Sequence, residues 1–522
     1  MAKELFDING LQGGFSFNHD LSPYDMPPNM FNDVQNVRFL DKKAGRIDGH
    51  TQVLGTPSAD PYWAISWTKG STDLWIYGGL TELYQINDTT HTTVTRSSGS
   101  YTTISGTENN WQGGILGGVL VCTNGIDVPQ KYAQGDSQFA DLTNWPSTLR
   151  CKSIVPFKNH LVALNLTDSG TSLPFSVRWS DAIPEGASSN GANTWVTSST
   201  DSEAAQTTIG GTKGHILNGL ALGNELMVYK EDSVHAMTYV GGAFTFQIRE
   251  RFKNAGLIAR DAVVALGDGR HVFVSADDIY IHNGAQLRSI IDDQVRSFFF
   301  NDLEQDSAYR TFCAHNNIKN EVWICYASSD AANDLPNKAL IWNYVDNTWT
   351  TRELPGTRFI AQGIVNPTHT NSWTNAGTTW EDTPSTWGFN PYSSTRDSLL
   401  ICGTADTKLY LVDYGNDFDG TDFTCILERV GLHAGNTNMV KSVTRMYPRI
   451  EGTGTVQISV GGEINPYEGV TYSDPVTFRI GQDNKVDCRV RGRYIAVKFE
   501  TTGDTRFNLS GYALEAETVS ER

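Results

Sequence analysis

Apolar and aromatic residues recur along most of the chain in short runs separated by polar turns. In KALIWNYVDNTWTTRE (338–353), the run from Ala339 to Tyr344 predicts a strand, Asp346-Asn347 predicts a tight turn, and the last six residues predict a second strand. Similar strand–turn–strand units occur at 73–96, 117–136, 159–181, 224–250, 270–290, 320–353 and 398–415. The pattern predicts an all-β protein.

The recurrence of this unit also predicts an arrangement. A unit of this size cannot bury both of its faces alone, and stacking with neighbouring units about an axis is the usual solution. We therefore predict a degenerate β-propeller of six or seven blades across residues 61–415. The segment TNSWTNAGTTWEDTPSTWGFNPYSST (370–395) departs from the pattern and is predicted to be a loop inserted into one blade.

One segment has helical rather than alternating periodicity. Within SIIDDQVRSFFFNDLEQDSAYR (289–310), residues spaced three and four apart place an apolar stripe on one face, and an acidic pair falls in the first turn. The stripe consists of Ile291, Val295, Phe298, Phe299 and Leu303. We predict a helix that lies between two blades and covers a blade edge.

The two ends of the chain differ from the repeated region. Residues 1–60 carry Pro23, Pro27 and Pro28, which favour an extended arm, followed by a hairpin. Such an arm is expected to lie on a neighbouring subunit or to close a propeller. Residues 416–522 contain alternating strands with short turns, which predict a C-terminal antiparallel β-sandwich.

Composition and charge narrow the class of protein. The formal net charge is −18, which disfavours a surface that grips DNA or an anionic membrane. The densest basic group is a row of five residues, expected either to form a solvated strand face or to meet an acidic neighbour: Lys485, Arg489, Arg491, Arg493 and Lys498. No apolar run approaches the roughly 18 residues of a membrane span, and the first ten residues lack a signal-peptide pattern. We therefore expect synthesis in a cytoplasm and no membrane partner.

The sequence offers little evidence for catalytic chemistry. Seven cysteines without C-x-x-C spacing predict buried thiols rather than disulfides or a zinc site. Nucleophile-elbow, zinc-protease, P-loop and EF-hand motifs are absent from the sequence, and acidic turns at Asp277-Asp278 and 413–422 are the only calcium candidates. RWSDAIPEGASSNGANTW (178–195) resembles the Ser-x-Asp turn of sialidase blades, so a carbohydrate-binding or sialidase-like, glycan-active propeller stays open as an alternative. We predict no catalytic residue, cofactor or metal.

Three stretches resemble the tail nozzle proteins of short-tailed bacteriophages, also called packaged-DNA stabilisation or tail accessory proteins. PYDMPPNMFNDVQNVRFLDKKAGRIDGHTQVLG is similar to the family's opening, GNELMVYK…QVRSFF to its central segment, and NEVWICYA…TWTTRE to the blade that follows. The resemblance covers about half of the chain and is strongest at 20–55 and 220–353.

The resemblance implies a structural protein of the virion tail rather than an enzyme. Six subunits would form a homo-hexameric ring below the portal and adaptor rings, hold tail fibre or tip proteins, retain the packaged genome and guide its ejection. Genomic DNA would pass through the lumen without sequence-specific binding. The expected subunit interface consists of Phe31, Val37, Phe39 and Arg46 in the arm, and of Trp373, Trp380 and Trp387 in the inserted loop.

Overall fold

The computed structural model describes residues 4–11, 13–103, 110–242, 244–365, 398–433, 435, 437–503 and 505–520. Strands make up 52% of the chain and helix 3%, so the all-β prediction is confirmed. The N-terminal segment forms seven short strands: β1 (Glu4–Asn9), β2 (Ser16–Phe17), β3 (Met30–Phe31), β4 (Asp33–Gln35), β5 (Val37–Leu40), β6 (Lys43–Arg46) and β7 (His50–Gln52).

The middle of the chain forms seven four-stranded antiparallel sheets, which we number I to VII. Sheets I to III are β8 (Trp63–Lys69), β9 (Thr72–Gly78), β10 (Leu83–Asn87), β11 (Thr90–Thr93); β12 (Gln112–Leu116), β13 (Val119–Thr123), β14 (Gln130–Tyr132), β15 (Ala140–Asp141); and β16 (Leu149–Phe157), β17 (His160–Asp168), β18 (Thr171–Trp179), β19 (Ala205–Thr208). Sheets IV and V are β20 (Ile216–Leu222), β21 (Glu225–Lys230), β22 (Ser233–Tyr239), β23 (Phe246–Lys253); and β24 (Val263–Ala265), β25 (His271–Val274), β26 (Ile279–His282), β27 (Leu287–Ser289).

The last two sheets differ in how they are completed. Sheet VI is β28 (Phe312–Asn316), β29 (Glu321–Tyr326), β30 (Lys338–Asn343) and β31 (Thr348–Glu353). Sheet VII takes three strands from this region, β32 (Thr357–Gly363), β33 (Ser398–Gly403) and β34 (Lys408–Val412). Its fourth strand is β7 from the N-terminal segment, which pairs antiparallel with β34. The inserted loop predicted at 370–395 lies outside the described residues.

The segment 338–353 shows why these residues form hairpins. Strands β30 and β31 pair with Trp342 opposite Trp349. The Asn343 side chain accepts the backbone N–H groups of Val345 and Asp346 at 3.0 Å each, and Asn347 takes a left-handed φ of 53°. An asparagine at each end of the turn therefore supplies the hydrogen bonds and the backbone conformation that the reversal requires.

Apolar side chains pack between consecutive sheets, and a further cluster joins the seventh sheet to the first. Pairs that belong to these clusters are Trp67 and Leu120 (I–II), Val121 and Leu161 (II–III), Val162 and Val228 (III–IV), Tyr229 and Phe273 (IV–V), Val272 and Val322 (V–VI), Trp323 and Ile401 (VI–VII), and Leu411 and Trp75 (VII–I). Because second strands such as β29 are buried on both faces, they are continuous apolar runs rather than alternating ones.

The predicted helix is shorter than its periodicity suggests. Helix α1 spans Arg296–Asp302, and a 3₁₀ helix spans Gln305–Arg310. Asp293 has a φ of 55°, which no residue inside a right-handed helix adopts. The acidic cap instead comes from Asp20 of the N-terminal segment, whose carboxylate accepts the N–H groups of Arg296 (2.7 Å) and Ser297 (2.8 Å). The predicted start at 289 is therefore wrong.

The C-terminal strands and part of the N-terminal segment form two six-stranded sheets. The C-terminal strands are β35 (Thr424–Leu432), β36 (Val440–Thr453), β37 (Thr455–Glu463), β38 (Thr471–Tyr472), β39 (Val476–Arg479), β40 (Val486–Gly492), β41 (Tyr494–Thr502) and β42 (Arg506–Ser520). Sandwich sheet 1 has the order β40-β36-β42-β6-β5 with β1 also on β42, and sandwich sheet 2 has the order β38-β37-β41-β35-β4 with β39 also on β37. The apolar faces of the two sheets meet, as at the rings of Phe499 and Tyr512, whose centroids are 5.5 Å apart.

The predicted arm at 1–60 is therefore not a separate unit, because its strands complete three different sheets. Its apolar residues are buried within the chain: Phe31, Val37 and Phe39 are 1%, 0% and 3% exposed. Side chains so fully buried have almost no surface to offer a neighbouring subunit, so the prediction that these three form an interface is corrected. Arg46 lies over the ring of Phe423, 4.0 Å from its centroid.

Asn36 joins the N-terminal segment to both sheet VI and the sandwich. Its Nδ2 donates to Glu353 Oε2 (2.8 Å) and to the Thr424 carbonyl (2.9 Å), and its Oδ1 accepts the Glu353 N–H at 3.0 Å. Its backbone N–H donates to the Thr351 carbonyl at 2.9 Å. Asn36 is fully buried and has a φ of 55°, a conformation that asparagine tolerates better than most residues.

We predict that Asn36→Gly lowers the free energy of unfolding by about 2–4 kcal/mol. Glycine keeps the left-handed backbone but removes the carboxamide, which leaves the Glu353 N–H and the Thr424 carbonyl buried without their partner. Urea unfolding followed by circular dichroism measures the change. Asn254→Gly is the matched control, since Asn254 has a φ of 53° on the surface and should change stability by less than about 1 kcal/mol. Equal effects of the two substitutions would contradict the role of the carboxamide.

Candidate functional site

The first strands of the sheets converge on a buried arginine. Arg260 lies three residues before the first residue of β24 in sheet V, and its guanidinium reaches the beginnings of two other sheets. Nη2 donates to the carbonyls of Asn110 (3.3 Å) and Trp111 (3.4 Å), next to β12, while Nη1 donates to the Lys152 carbonyl in β16 at 3.4 Å. Nε lies 3.3 Å from Asp261 Oδ1. This side chain therefore joins sheets II, III and V.

The neighbouring Asp261 extends the same network to the first strands of further sheets. Its Oδ2 accepts from Asn110 Nδ2 at 3.1 Å and lies 3.6 Å from Arg358 Nη2 in β32. Its carbonyl accepts the N–H of Cys313 in β28 at 2.9 Å. The carbonyl of Arg260 accepts a hydrogen bond from Asn218 Nδ2 in β20 at 2.8 Å. One dipeptide thus contacts the first strands, or the residues just before them, of sheets II, III, IV, VI and VII. We call it the central ion pair.

Burial determines the electrostatics of this group. Arg260 is 5% exposed and Arg358 is 2% exposed. Desolvation raises the pKa of Asp261, but the charges of Arg260 and Arg358 and the hydrogen bonds from Arg260 and Asn110 outweigh it, so the pKa lies below its ordinary value. Desolvation lowers the pKa of Arg358 to about 10. All three side chains are therefore charged near neutral pH, and the carboxylate compensates the two cations.

A sialidase-like site needs three arginines that converge on a substrate carboxylate. Arg260 and Arg358 instead face Asp261 of their own chain. A third arginine, Arg310, donates to the Asn333 carbonyl at 3.4 Å and lies over the ring of Tyr309, 5.4 Å from its centroid. These contacts hold the sheets together and leave the guanidinium of Arg260 directed at protein groups rather than at an open cavity.

The sialidase-like turn has a structural role. Asp181 Oδ1 accepts the Glu203 N–H at 3.0 Å, and Oδ2 accepts from Asn190 Nδ2 at 2.9 Å. Trp195 is 1% exposed and packs edge-on against Trp145, with ring centroids 4.6 Å apart. The carboxylate of Asp181 is thus used to fix the loop between β18 and β19.

That loop forms one wall of a cleft with a volume of about 1120 Å³. The cleft lies between β19 and β23, the last strands of sheets III and IV. The segment TSSTDSEAAQTT (197–208) supplies half of the lining residues, the lining contains seven Ser and Thr residues, and the hairpin before β23 supplies Phe244. Phe244 is 79% exposed. The hydroxyl-rich composition of 197–208 is the only sequence signal for this cleft, and sequence reasoning missed it.

A buried network of neutral imidazoles lies between sheets IV and V. The Tyr229 hydroxyl is 2.8 Å from His271 Nδ1 and 2.7 Å from His282 Nε2. His271 Nε2 donates to the Ala221 carbonyl at 3.0 Å, and His282 Nδ1 accepts the Gly284 N–H at 3.1 Å. Both rings therefore carry their proton on Nε2, and the hydroxyl donates to one ring and accepts from the other.

The acidic turns considered for calcium are occupied by protein donors. Asp278 Oδ1 accepts from Ser289 Oγ at 2.8 Å and Oδ2 lies 2.8 Å from Arg296. Asp413 lies 3.0 Å from Arg38. Within the described part of the chain, no group of three or more His, Cys, Asp or Glu residues could hold a metal ion. All seven cysteines are buried and unpaired, as the sequence predicted.

The predicted basic row is divided between two strands: Lys498 lies on β41 in sandwich sheet 2, and the exposed members lie on or beside β40, where buried and exposed residues alternate. Arg489 and Arg491 are exposed on this strand, and Lys485 pairs with Asp487 at 2.9 Å. Of the other predicted interface residues, Trp373, Trp380 and Trp387 lie outside the described residues. Among the helices that the structure describes, none is long and apolar enough to cross a membrane.

Comparisons with known proteins give only distant similarities. No family model matches the chain, and no curated protein matches it. One similar solved structure is PorZ, an essential bacterial surface component of the type-IX secretion system of Porphyromonas gingivalis, with 9% identity, a TM-score of 0.33, and coverage of 81% of this chain and 46% of that chain. Another is the extracellular domain of BT4673 from B. thetaiotaomicron, with 12% identity, a TM-score of 0.27, and coverage of 54% and 39%. The chain spans less than half the length of each, and likenesses this weak define neither fold nor function.

We predict that Asp261→Asn lowers the free energy of unfolding by about 3–5 kcal/mol, because it removes the carboxylate that compensates two buried guanidinium groups. Urea unfolding measures the loss. Asp268→Asn is the control, since Asp268 pairs with Arg270 on the surface and should contribute less than about 1 kcal/mol. An unchanged stability of Asp261→Asn would show that the central ion pair does not hold the first strands together.

We also predict that stability falls as the pH drops below about 6.5. Desolvation lowers the pKa of His271 to about 4 and that of His282 to about 3, from the ordinary 6.5. The unfolded chain therefore takes up protons first, and the stability present above pH 6.5 is lost progressively towards pH 4, by up to about 1.4 kcal/mol per pH unit for each histidine. Urea unfolding between pH 7.5 and 4.5 measures this slope. His271→Asn should make the slope shallower. The control His215→Asn, at an exposed position, should not. A flat profile in the unsubstituted protein would contradict the prediction.

Proposed function

We propose that the seven sheets are the blades of a closed β-propeller. Three features support this: the cluster that joins sheet VII to sheet I, the completion of sheet VII by β7, and the convergence of the first strands on the central ion pair. Completing the last blade with a strand from the other end of the chain is a way to close a circle of sheets without a free edge.

We infer that this propeller is a subunit of a virion tail nozzle and not an enzyme. The observation that carries the inference is the filled centre: the axis of the sheets is occupied by the buried Arg260 and Asp261, so a single chain has no room for DNA there. A DNA channel built from such subunits must lie between copies, which fits the ring of six that the sequence resemblance implies. The resemblance at 20–55 and 220–353 supplies the tail assignment itself.

The charge of the chain agrees with this role. Six copies of a −18 chain carry about −108, and acidic walls repel DNA phosphates at short range. In this proposal the ring retains the packaged genome and then lets it slide out, with portal or adaptor proteins above and tail fibre or tip proteins below. The protein is made in the host cytoplasm and resides in the tail of the virion.

The alternative, a sialidase-like propeller, has weaker support. Its arginines would have to face an open cavity, whereas Arg260 is directed at backbone carbonyls and at Asp261. Asp181 of the Ser-x-Asp turn is likewise committed to the loop that it stabilises. A carbohydrate-binding function without hydrolysis does not need these residues, and the hydroxyl-lined cleft between sheets III and IV is the observation that favours it.

The proposal predicts that the chain enters a six-fold ring with its tail partners. Class averages of tails labelled with a gold-conjugated antibody against this chain should show the label on a six-fold ring below the portal and adaptor. The triple substitution of Trp373, Trp380 and Trp387 by Ala should reduce ring assembly without changing the unfolding midpoint of the isolated chain. Val345→Ala, at an exposed turn of sheet VI, is the control and should leave assembly intact.

Two results would contradict the proposal. One is the absence of the label from tails in which all other components are present. The other is release of reducing sugar from glycans by the isolated chain at a rate that Asp261→Asn or Arg260→Lys abolishes while the fold is retained.

A further inference from the structure

We propose that the cleft between sheets III and IV binds an uncharged oligosaccharide. This inference does not rest on the nozzle proposal, because it concerns a surface of the single chain. The cleft is open along the two outermost strands, β19 and β23, and its lining is polar on the β19 side and partly aromatic at the hairpin that precedes β23.

The charge of the lining selects the class of ligand. Among the described residues, the cleft is lined by the carboxylates of Asp181, Asp201, Glu203 and Glu250 and by no lysine or arginine. An anionic sugar such as a sialic acid would be repelled by these carboxylates, and the lining has no lysine or arginine to bind the carboxylate of the sugar. A neutral sugar presents hydroxyl donors, and hydrogen bonds from hydroxyls to carboxylates are charge-assisted and short. The lining therefore favours neutral glycans and disfavours acidic ones.

One carboxylate in the cleft has an acceptor that the protein leaves unused. Glu203 Oε2 is buried and has no hydrogen-bond partner within the described part of the chain. Its nearest basic group is His160 Nε2 at 3.4 Å, but His160 Nδ1 lies 2.9 Å from the Ser180 carbonyl, which fixes the proton on Nδ1. The Glu203 side chain as a whole is 39% exposed and lines the cleft, so the exposed part of its carboxylate can accept a hydrogen bond from a sugar hydroxyl.

The main chain of Glu203 keeps this acceptor in place. Its N–H donates to Asp181 Oδ1 at 3.0 Å, and its carbonyl accepts from Trp179 Nε1 (2.9 Å) and Thr245 Oγ1 (3.0 Å). The loop residue is thereby tied to β18 and to the hairpin of sheet IV. Glu203 is thus positioned before a ligand arrives, which reduces the entropy lost on binding.

An exposed aromatic ring completes the site. Phe244 is 79% exposed and lines the cleft beside Thr245 and Phe246, which are buried. The face of an aromatic ring carries partial negative charge and attracts the weakly positive C–H groups of a sugar face. Small-molecule pockets usually measure about 300–1,000 Å³, and a cleft of about 1120 Å³ therefore suits several sugar rings rather than one.

The test is isothermal titration calorimetry of the purified full chain with maltohexaose, cellohexaose, mannohexaose and N-acetylchitohexaose, each up to about 10 mM. We expect at least one to bind with a dissociation constant between about 10 μM and 1 mM, as is usual for an open cleft with few anchors. Phe244→Ala and Glu203→Ala should each weaken that binding about tenfold or more. The control Val345→Ala removes a similarly exposed apolar side chain far from the cleft and should not change it.

Three outcomes would overturn the proposal. They are the failure of all four probes to bind, equal binding by the unsubstituted chain and by both cleft variants, and preferential binding of 3′-sialyllactose. Circular dichroism of each variant checks that the fold is retained, which is expected for Phe244→Ala because its side chain is on the surface. Ring assembly is measured separately, so failure of this site leaves the nozzle proposal standing, and failure of the nozzle proposal leaves this one.

Discussion

The closure of sheet VII by strand β7 is the constraint on which the rest of the structure depends. Among the described residues, 357–365 and 398–412 supply three strands to this sheet, and the fourth comes from residues 50–52. Without β7 the outer edge of β34 would be open. Gly49 makes the approach feasible, since a Cβ at this position would lie 1.8 Å from the Asp417 carbonyl oxygen. A glycine is therefore required where the closing strand begins.

Buried charge reinforces the same junction. Arg38 Nε lies 2.6 Å from Glu321 Oε1 in sheet VI, and its Nη2 lies 3.0 Å from Asp413 Oδ2 at the end of β34. One guanidinium in the N-terminal segment therefore links sheet VI, sheet VII and sandwich sheet 1. Buried ion pairs contribute little net stability compared with apolar packing, but they penalise every arrangement in which a partner is missing. This network therefore contributes more to the position of the sandwich relative to sheets VI and VII than to the stability of the fold.

The sequence predicts those parts of the fold that are encoded locally. The seven strand–turn–strand units were recognised because apolar runs such as EVWICY and turns such as Val345 to Asn347 carry their own signal. Pairings between distant residues have no such signal: nothing in His50–Gln52 indicates a partner some 360 residues away. The helix start failed for the same reason, because its cap is Asp20. The interface prediction for Phe31, Val37 and Phe39 failed because exposure cannot be deduced from apolar character alone.

The candidate sites show the same difference between features that are encoded locally and features that depend on distant residues. The central ion pair had a faint signal, two adjacent charges within the apolar run AGLIARDAVVAL, whereas its five partner sheets could be identified only from the fold. The cleft had a compositional signal in 197–208 but no indication that sheet IV supplies its second wall. Local sequence thus reveals that a segment is unusual, and tertiary structure reveals what it faces.

The central ion pair and the cleft are opposite in character, and this difference constrains function. At the centre, cations are buried, paired and directed at the chain's own carbonyls, so they can recognise an incoming anion only by giving up contacts that hold five sheets together. In the cleft, carboxylates and hydroxyls line an open volume. A ligand can therefore be recognised without rearrangement in the cleft between sheets III and IV, but not at the central ion pair. Within the described part of the chain, the buried charges thus hold the sheets in place, whereas the cleft offers polar groups to a ligand.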